Sequence, residues 1–416
     1  MILMHGKIIS THLESKYLDS LYNDCLVTLN LETLKPEIVI QACDILYKRV
    51  INGEFNEIIF PLLKSSNISY ERFRDMAHLF SKEELEYKYT IELGDILHPL
   101  KNGTIRKRYP LGILFHIAAG NVDGLPAYSV IEGLLSGNIN ILKLPSSDNG
   151  LSIRLLYELI QIEPKLKEFI YVFDVPSTDF TTIQKLASMA DGIVVWGGDE
   201  AVKAARNMAD ITTKIIDWGH KLSFAYMTSS VSDDQLYQLA CHICETNQVL
   251  CSSCQGIFVD TNQIEVLENI GQRFYEQLLK ANKKYGKTDI GMRGKNTLRL
   301  YTDQLENNNY KILSNEGISV VIKYDQELEL SYLFRNVWIK ALPHENIIYQ
   351  LKPHKNHLQT CGLFCDESEK EFLSSLLASA GIIRITKGDM SRMIAGEAHD
   401  GRYPLIEYSR IVEIDS

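Results

Sequence analysis

Cys251 lies in Asn247-Gln248-Val249-Leu250-Cys251-Ser252-Ser253-Cys254, between an amphipathic helical pattern and the short apolar run Ile257-Phe258-Val259. A thiol on a polar turn held by rigid elements can ionise and attack a carbonyl carbon, whereas a thiol in apolar surroundings stays protonated and inert. A single cysteine is more commonly a small buried hydrophobe, so other segments must decide its role. Cys254 competes for the same chemistry three residues on. Cys241-x-x-Cys244 and Cys251-x-x-Cys254 also have the form of two metal-binding or redox pairs. Only six residues separate them, against roughly 15–20 in many zinc ribbons. Cys241 and Cys244 share a helical pattern with Leu236, Leu239 and Ile243, so packing is the expectation and no metal site is assigned.

The elements that must position such a thiol are legible as alternation. From Gly112 the chain predicts strands over residues 113–117, 139–144, 170–173, 193–196, 214–218 and 223–227, with helices over 148–162, 181–189 and 200–208 between them. Repeated β-α-β predicts a parallel sheet with helices on both faces and a ligand at the carboxyl ends of its strands. A glycine-rich turn, Ala118-Ala119-Gly120-Asn121-Val122-Asp123-Gly124, follows the first of these strands, with Pro126 at the start of a helix. A second unit reads as helix 234–245, the cysteine turn, strand 257–259, a long helix from 264 to about 283, strands near 319–322 and 337–339, and a last strand over 409–414. Residues 1–95 read as mostly helical and carry no recognisable chemistry. Asn102-Gly103, between extended runs, predicts a hairpin that invites contacts between subunits. The expected class is α/β with two parallel-rich domains. The boundaries are set at 1–228 for the helical region and nucleotide-binding domain, 229–390 for the catalytic domain, and 391–416 for a tail and strand.

Several of these residues form an ordered set that resembles the aldehyde dehydrogenase superfamily. Arg108-Tyr109-Pro110-Leu111-Gly112-Ile113 is similar to the start of its cofactor domain, Gly120-Asn121 fits its oxyanion asparagine and Cys251 its nucleophile. Asp217 stands 34 residues before Cys251, in Asp217-Trp218-Gly219-His220-Lys221, where that superfamily carries Glu-Leu-Gly-Gly-Lys. The chain is most similar to the LuxC-type acyl-CoA or acyl-protein reductases, through Asn247 to Ser253, Gly120-Asn121-Val122, Trp196-Gly197-Gly198-Asp199-Glu200-Ala201-Val202 and His399-Asp400-Gly401 with Pro404-Leu405. This similarity covers roughly residues 90–416.

The resemblance implies that Cys251 attacks a thioester, that Asn121 and the Cys251 amide hold the oxyanion, and that hydride reduces the acyl-enzyme to an aldehyde. Counting back from Phe258 favours Cys251 over Cys254. An aldehyde dehydrogenase that releases free acid needs a base for water, and Asp217, one methylene shorter than glutamate, is a poor one; that activity and a zinc or redox role for the paired cysteines are the alternatives. The resemblance also places Lys143 at the adenosine ribose. Ser146 stands where NAD-preferring members often carry glutamate, and without that anion a 2′-phosphate is tolerated, so NADPH is expected, with NADH possible. Gly197-Gly198, at a strand-to-helix turn, lets a pyrophosphate approach backbone amides. His116, His220 and His242 are expected to be satisfied structural histidines, and His399-Asp400 a structural part of the tail.

Composition sets the outer bounds. The 416 residues carry 45% hydrophobic and 23% charged residues, as in an ordinary globular protein of two or three domains. A formal net charge of −10 argues against nucleic acid as partner. Eight cysteines in so long a chain do not form a secreted disulfide framework. With no signal-peptide core and no run long enough to span a bilayer, a cytoplasmic homo-oligomer acting on an acyl-CoA or acyl-carrier thioester is the expectation.

Overall fold

The computed structural model describes residues 1–11, 14–63, 70–94, 97–120, 123–306 and 310–415, without the side chains of residues 63 and 70–72. It divides into two compact units, Met1–Gly219 with Met393–Ser416, and His220–Arg392.

The first unit holds β1 (Ile2–Met4), β2 (Lys7–Ile9), β3 (Ile105–Pro110), β4 (Ile113–Ile117), β5 (Ile139–Lys143), β6 (Ile170–Phe173), β7 (Gly192–Trp196) and β8 (Lys214–Trp218). Seven of these form one sheet in the order β2-β1-β6-β5-β4-β7-β8. The five from β6 to β8 run parallel, and β4 to β7 are almost wholly buried, as expected of strands covered on both faces. β1 joins antiparallel to β6. It turns into β2 through His5-Gly6, both at positive φ, the two-residue turn that suits the twist of a hairpin. Helix Pro36–Ile51 begins on a proline and buries Val39, Ile40, Cys43, Leu46 and Val50 along one stripe.

The second unit contains β9 (Leu222–Met227), β10 (Cys254–Val259), β11 (Tyr310–Asn315), β12 (Ile318–Lys323), β13 (Asn336–Ala341), β14 (Leu358–Phe364) and β15 (Arg384–Thr386). Their order is β11-β12-β13-β10-β9-β14-β15, and β11 alone pairs antiparallel. The last strand, β16 (Ser409–Ile414), belongs to the first unit and pairs with β3 over six positions, from Ser409 opposite Pro110 to Ile414 opposite Ile105.

Two expectations change. β9, read as the end of the first domain at residue 228, pairs with β10 and β14 in the second sheet. Only Gly219-His220-Lys221 separates it from β8, and the same alternation continues across the break, so the sequence carries no linker to mark it. Among the described residues Asn102-Gly103 makes a turn but no paired hairpin strands. The Asn102 carboxamide accepts the Thr104 N–H at 3.1 Å, an Asx turn, and the partner of β3 is β16. Among the described residues no helix is long and apolar enough to cross a membrane.

Candidate active site

Helix Asp233–Thr246 opens with a reciprocal Ser232–Gln235 capping box and ends on Asn247 in the left-handed region, φ 47°. Gln248 follows at φ 64°. Two successive non-glycine residues at positive φ are costly and persist only where surrounding bonds over-determine them. Here Gln248, almost fully buried, supplies those bonds. Its carboxamide oxygen accepts the N–H groups of Arg335 at 2.9 Å and Asn336 at 3.1 Å, and its nitrogen donates to the carbonyls of Cys254, Gln255 and Asn336 at 3.0–3.3 Å. Gln255 returns a bond to the Gln248 carbonyl at 2.9 Å.

Arg335 closes the same knot. Leu333, Phe334 and Arg335 form a second run at positive φ, and the buried guanidinium donates to Asn247 Oδ1, Asn282 Oδ1 and the carbonyls of Gly286 and Cys244. The turn that follows Gln248 is pinned at both ends. Leu250 and Ser253 exchange bonds of 3.1 and 2.9 Å, while Ser223 Oγ, at the start of β9, donates to the Cys251 carbonyl at 2.7 Å and accepts the Thr360 N–H at 3.1 Å.

On this turn Cys251 is exposed, whereas Cys254 is buried as the first residue of β10. Cys254 donates its S–H to the Gly256 carbonyl at 3.2 Å, and burial pushes its thiol up to about 12. Cys244 is pushed up to about 12 for the same reason. A protonated thiol is a poor nucleophile, so the two candidates separate by environment. Among the described residues no three His, Cys, Asp or Glu side chains converge as a metal site would require.

In the first unit the chain runs from central β4 out to β5 and β6, then returns to β7 and β8 on the other side. Open α/β sheets bind ligands at the carboxyl edge where the order reverses. Lys143 ends β5, donating its ammonium to the Leu144 carbonyl and Ser177 Oγ at 3.2 Å. Burial lowers its pKa, and Asp174 opposes that shift. Ser146 is exposed in the following loop, whose Ser147 hydroxyl donates to the Gly120 carbonyl at 3.0 Å. Gly197 and Gly198 follow β7 and lead into helix Asp199–Met208, and beyond its two chain neighbours no residue comes within 4 Å of where a Cβ on Gly198 would stand. Lys143, Ser146, Gly197 and Gly198 thus share one edge of the first sheet. Cys251 is a residue of the second unit, and Asn121 lies outside the described residues.

The Asp217 carboxylate is engaged by Arg206 at 3.1 Å and Arg402 at 3.5 Å. Arg402 also donates to the Asp217 carbonyl and lies 4.5 Å over the Trp218 ring. His399 packs edge-on against Trp196 and Trp218, each at 4.9 Å. His116 is buried between Ser129 Oγ at 2.8 Å and Asn140 Oδ1 at 3.0 Å, and His242 Nδ1 meets Ser391 Oγ at 3.3 Å. The residues that sequence reasoning missed are Ser223, Gln248 and Arg335. Gln248 sits inside the quoted motif, but nothing in its type signals that it binds a strand 87 residues away.

A family model described as acyl-CoA reductase (LuxC) matches residues 46–411. The long-chain acyl-protein thioester reductase of Vibrio harveyi is 25% identical over 319 residues, 74% of this chain and 65% of that protein. The protein of the same description from Aliivibrio fischeri is 25% identical over 346 residues, 80% of this chain and 71% of its own. The chain thus spans about two thirds of the length of these curated relatives. Among solved structures, methylmalonate-semialdehyde dehydrogenase from Oceanimonas doudoroffii aligns with a TM-score of 0.76 at 13% identity, covering 99% of this chain and 97% of its own. Glyceraldehyde-3-phosphate dehydrogenase from Methanocaldococcus jannaschii, solved with NADP, aligns at 0.71 and 15% identity, covering 98% and 95%. The fold is that of the aldehyde dehydrogenases.

Proposed function

Because the chain belongs to the acyl-CoA reductase (LuxC) family, we propose that it reduces an acyl thioester to the aldehyde with NADPH, through an acyl-enzyme on Cys251. The observation that carries this reading is the contrast between an exposed Cys251 on an anchored turn and a buried, protonated Cys254 three residues on. The Cys251 thiolate adds to the thioester carbonyl, and the oxyanion is held by the Cys251 amide and the Asn121 side chain. Collapse expels the thiolate of CoA or of an acyl-carrier protein, leaving the acyl group on sulfur. Hydride addition to that carbonyl and loss of the Cys251 thiolate release the aldehyde, so two electrons reduce each thioester. Rigid support of the turn matters because misplacement by about 1 Å can cost about 100-fold in rate.

Lys143, Gly197 and Gly198 fit a dinucleotide: an ammonium at one strand end, and an uncrowded helix N-terminus at another. NADPH, when bound, supplies the hydride. Exposed Ser146 supports tolerance of a 2′-phosphate, and Asp174, close enough to act on Lys143, limits that preference. The Asp217 carboxylate is taken up by two arginines rather than left to a water, and this supports release as aldehyde over hydrolysis to free acid. We assign the protein to the cytoplasm, where a thiol as exposed as Cys251 is kept reduced. The ribbon of β3 and β16, a sheet of just two strands, is the element we assign to homo-oligomer contacts.

Mass spectrometry after brief exposure to acyl-CoA without NADPH tests the proposal. The acyl group is expected on Cys251, and a Cys251→Ala protein should consume no NADPH. Acylation elsewhere, or full turnover by Cys251→Ala, rejects it.

A further inference from the structure

We infer that helix Ile290–Glu306 docks the second unit on an anionic lipid surface. A helix of a globular protein turns its apolar stripe inward, as helix Pro36–Ile51 does. Here the pattern is reversed. Of the 17 residues in this helix Asn296 alone is buried, its carboxamide donating to the Leu333 carbonyl at 3.2 Å. Ile290, Leu298, Tyr301 and Leu305 are 77%, 70%, 62% and 85% exposed. At about 100° per residue these four fall in a stripe about 80° wide, on the side of the helix away from Asn296. A continuous apolar stripe facing water marks a docking face.

Charge selects the occupant. Seven of residues 280–306 are lysine or arginine and three are aspartate or glutamate, a local net charge of +4 in a chain of net charge −10. Lys283, Lys284, Lys287, Lys295 and Arg299 are all exposed, and among the described residues no carboxylate pairs with any of them. Arg299 lies over the Tyr332 ring at 5.2 Å, a contact that leaves its charge uncompensated. Lys295 and Arg299 flank the apolar stripe, and Lys287 stands just ahead of the helix. Screening over about 8 Å keeps the acidic remainder of the chain from cancelling this patch. Leucine and tyrosine side chains beside long cationic stems suit a helix lying in the plane of a membrane interface: the apolar groups enter the headgroup boundary and the cations stay among anionic headgroups. Side chains that protrude along about four turns would need a matching slot in a rigid protein partner, whereas a fluid boundary adapts to them. The helix is also tied to the cysteine turn. Asn296 bonds to the Leu333 carbonyl, and the next residue, Phe334, donates its N–H to the Asn247 carbonyl at 3.0 Å. Docking therefore holds the unit that carries Cys251 at the lipid surface.

The test uses the full chain without nucleotide or thioester, so its outcome is separate from the proposed reaction. The protein is sedimented with phosphatidylcholine vesicles that contain or lack phosphatidylglycerol, and hydrogen exchange is followed peptide by peptide. Binding to the anionic vesicles is expected, with exchange slowed in residues 280–306. Omitting phosphatidylglycerol or raising the salt should weaken it about tenfold or more. Leu298→Ser with Leu305→Ser, and separately Lys287→Glu with Lys295→Glu, change only exposed side chains. Each pair should weaken vesicle binding about tenfold or more while the circular dichroism spectrum is kept. No binding to anionic vesicles, binding that survives both pairs of substitutions, or protection that lies only outside residues 280–306 overturns the proposal. Two further results also overturn it in the absence of vesicle binding. An oligomer that Leu298→Ser with Leu305→Ser dissociates would make the stripe a contact between copies, and binding of an acidic acyl-carrier protein that Lys287→Glu with Lys295→Glu abolishes would make it a protein-docking face.

Discussion

The side chain of Gln248 accepts the backbone N–H groups of both Arg335 and Asn336, at 2.9 and 3.1 Å, and so ties the cysteine turn to the start of β13. Gln248→Leu removes this acceptor and strands buried polar groups on two segments. Each unsatisfied group costs about 1–3 kcal/mol, and the variant is expected to lose about 3 kcal/mol in urea unfolding. Loss of less than about 1 kcal/mol would mean that the turn is held by other contacts.

The eight thiols should react in an order set by burial. At neutral pH Cys254 and Cys244, both pushed up to about 12, are almost wholly protonated. Exposed Cys251 should be alkylated by iodoacetamide at least about 100-fold faster than either. Time-resolved peptide mapping checks this, and equal rates at Cys251 and Cys254 would contradict the assigned nucleophile.

His116 should make stability depend on pH. Burial lowers its pKa from 6.5 to about 4. Between these values the unfolded chain takes up a proton that the folded chain refuses, so its contribution is full above 6.5 and falls as pH drops toward about 4. The loss is about 3 kcal/mol in total. Urea unfolding across that window should show the slope in the native protein and less of it in His116→Asn. Parallel curves for the two proteins would assign the slope to other groups.

Lys143→Ala should weaken NADPH binding by about 10- to 100-fold, the worth of one hydrogen bond from a charged donor. Fluorescence titration of the nucleotide measures it without turnover. Asp174→Asn should shift preference further toward NADPH over NADH, by removing an anion that acts on Lys143. An unchanged ratio would separate Asp174 from the adenosine end.

Much of the sheet architecture was legible because short apolar runs bounded by glycine and polar residues leave few alternatives. Strands 113–117, 170–173, 214–218 and 409–414 fall where the pattern places them. The β1–β2 hairpin was not legible: each strand has three residues, and its turn needs His5, a non-glycine, at φ 46°. Asn102-Gly103 announced its turn correctly, yet a turn does not name a partner strand, and the partner of β3 lies some three hundred residues on. The cysteine turn was legible as polar punctuation between a helix and a strand. Arg335 was not, because its role comes from a left-handed backbone and from acceptors 53 and 88 positions away.

The first unit is interrupted: Met1–Gly219 is completed by Met393–Ser416 only after the whole of His220–Arg392 has passed. During synthesis β3 must therefore wait, its edge open, while the contiguous second unit has every strand of its own sheet in hand. The late arrival of β16 makes the ribbon a terminal clasp. Until it closes, the nascent chain carries an unpaired strand that chaperones or sister chains can capture.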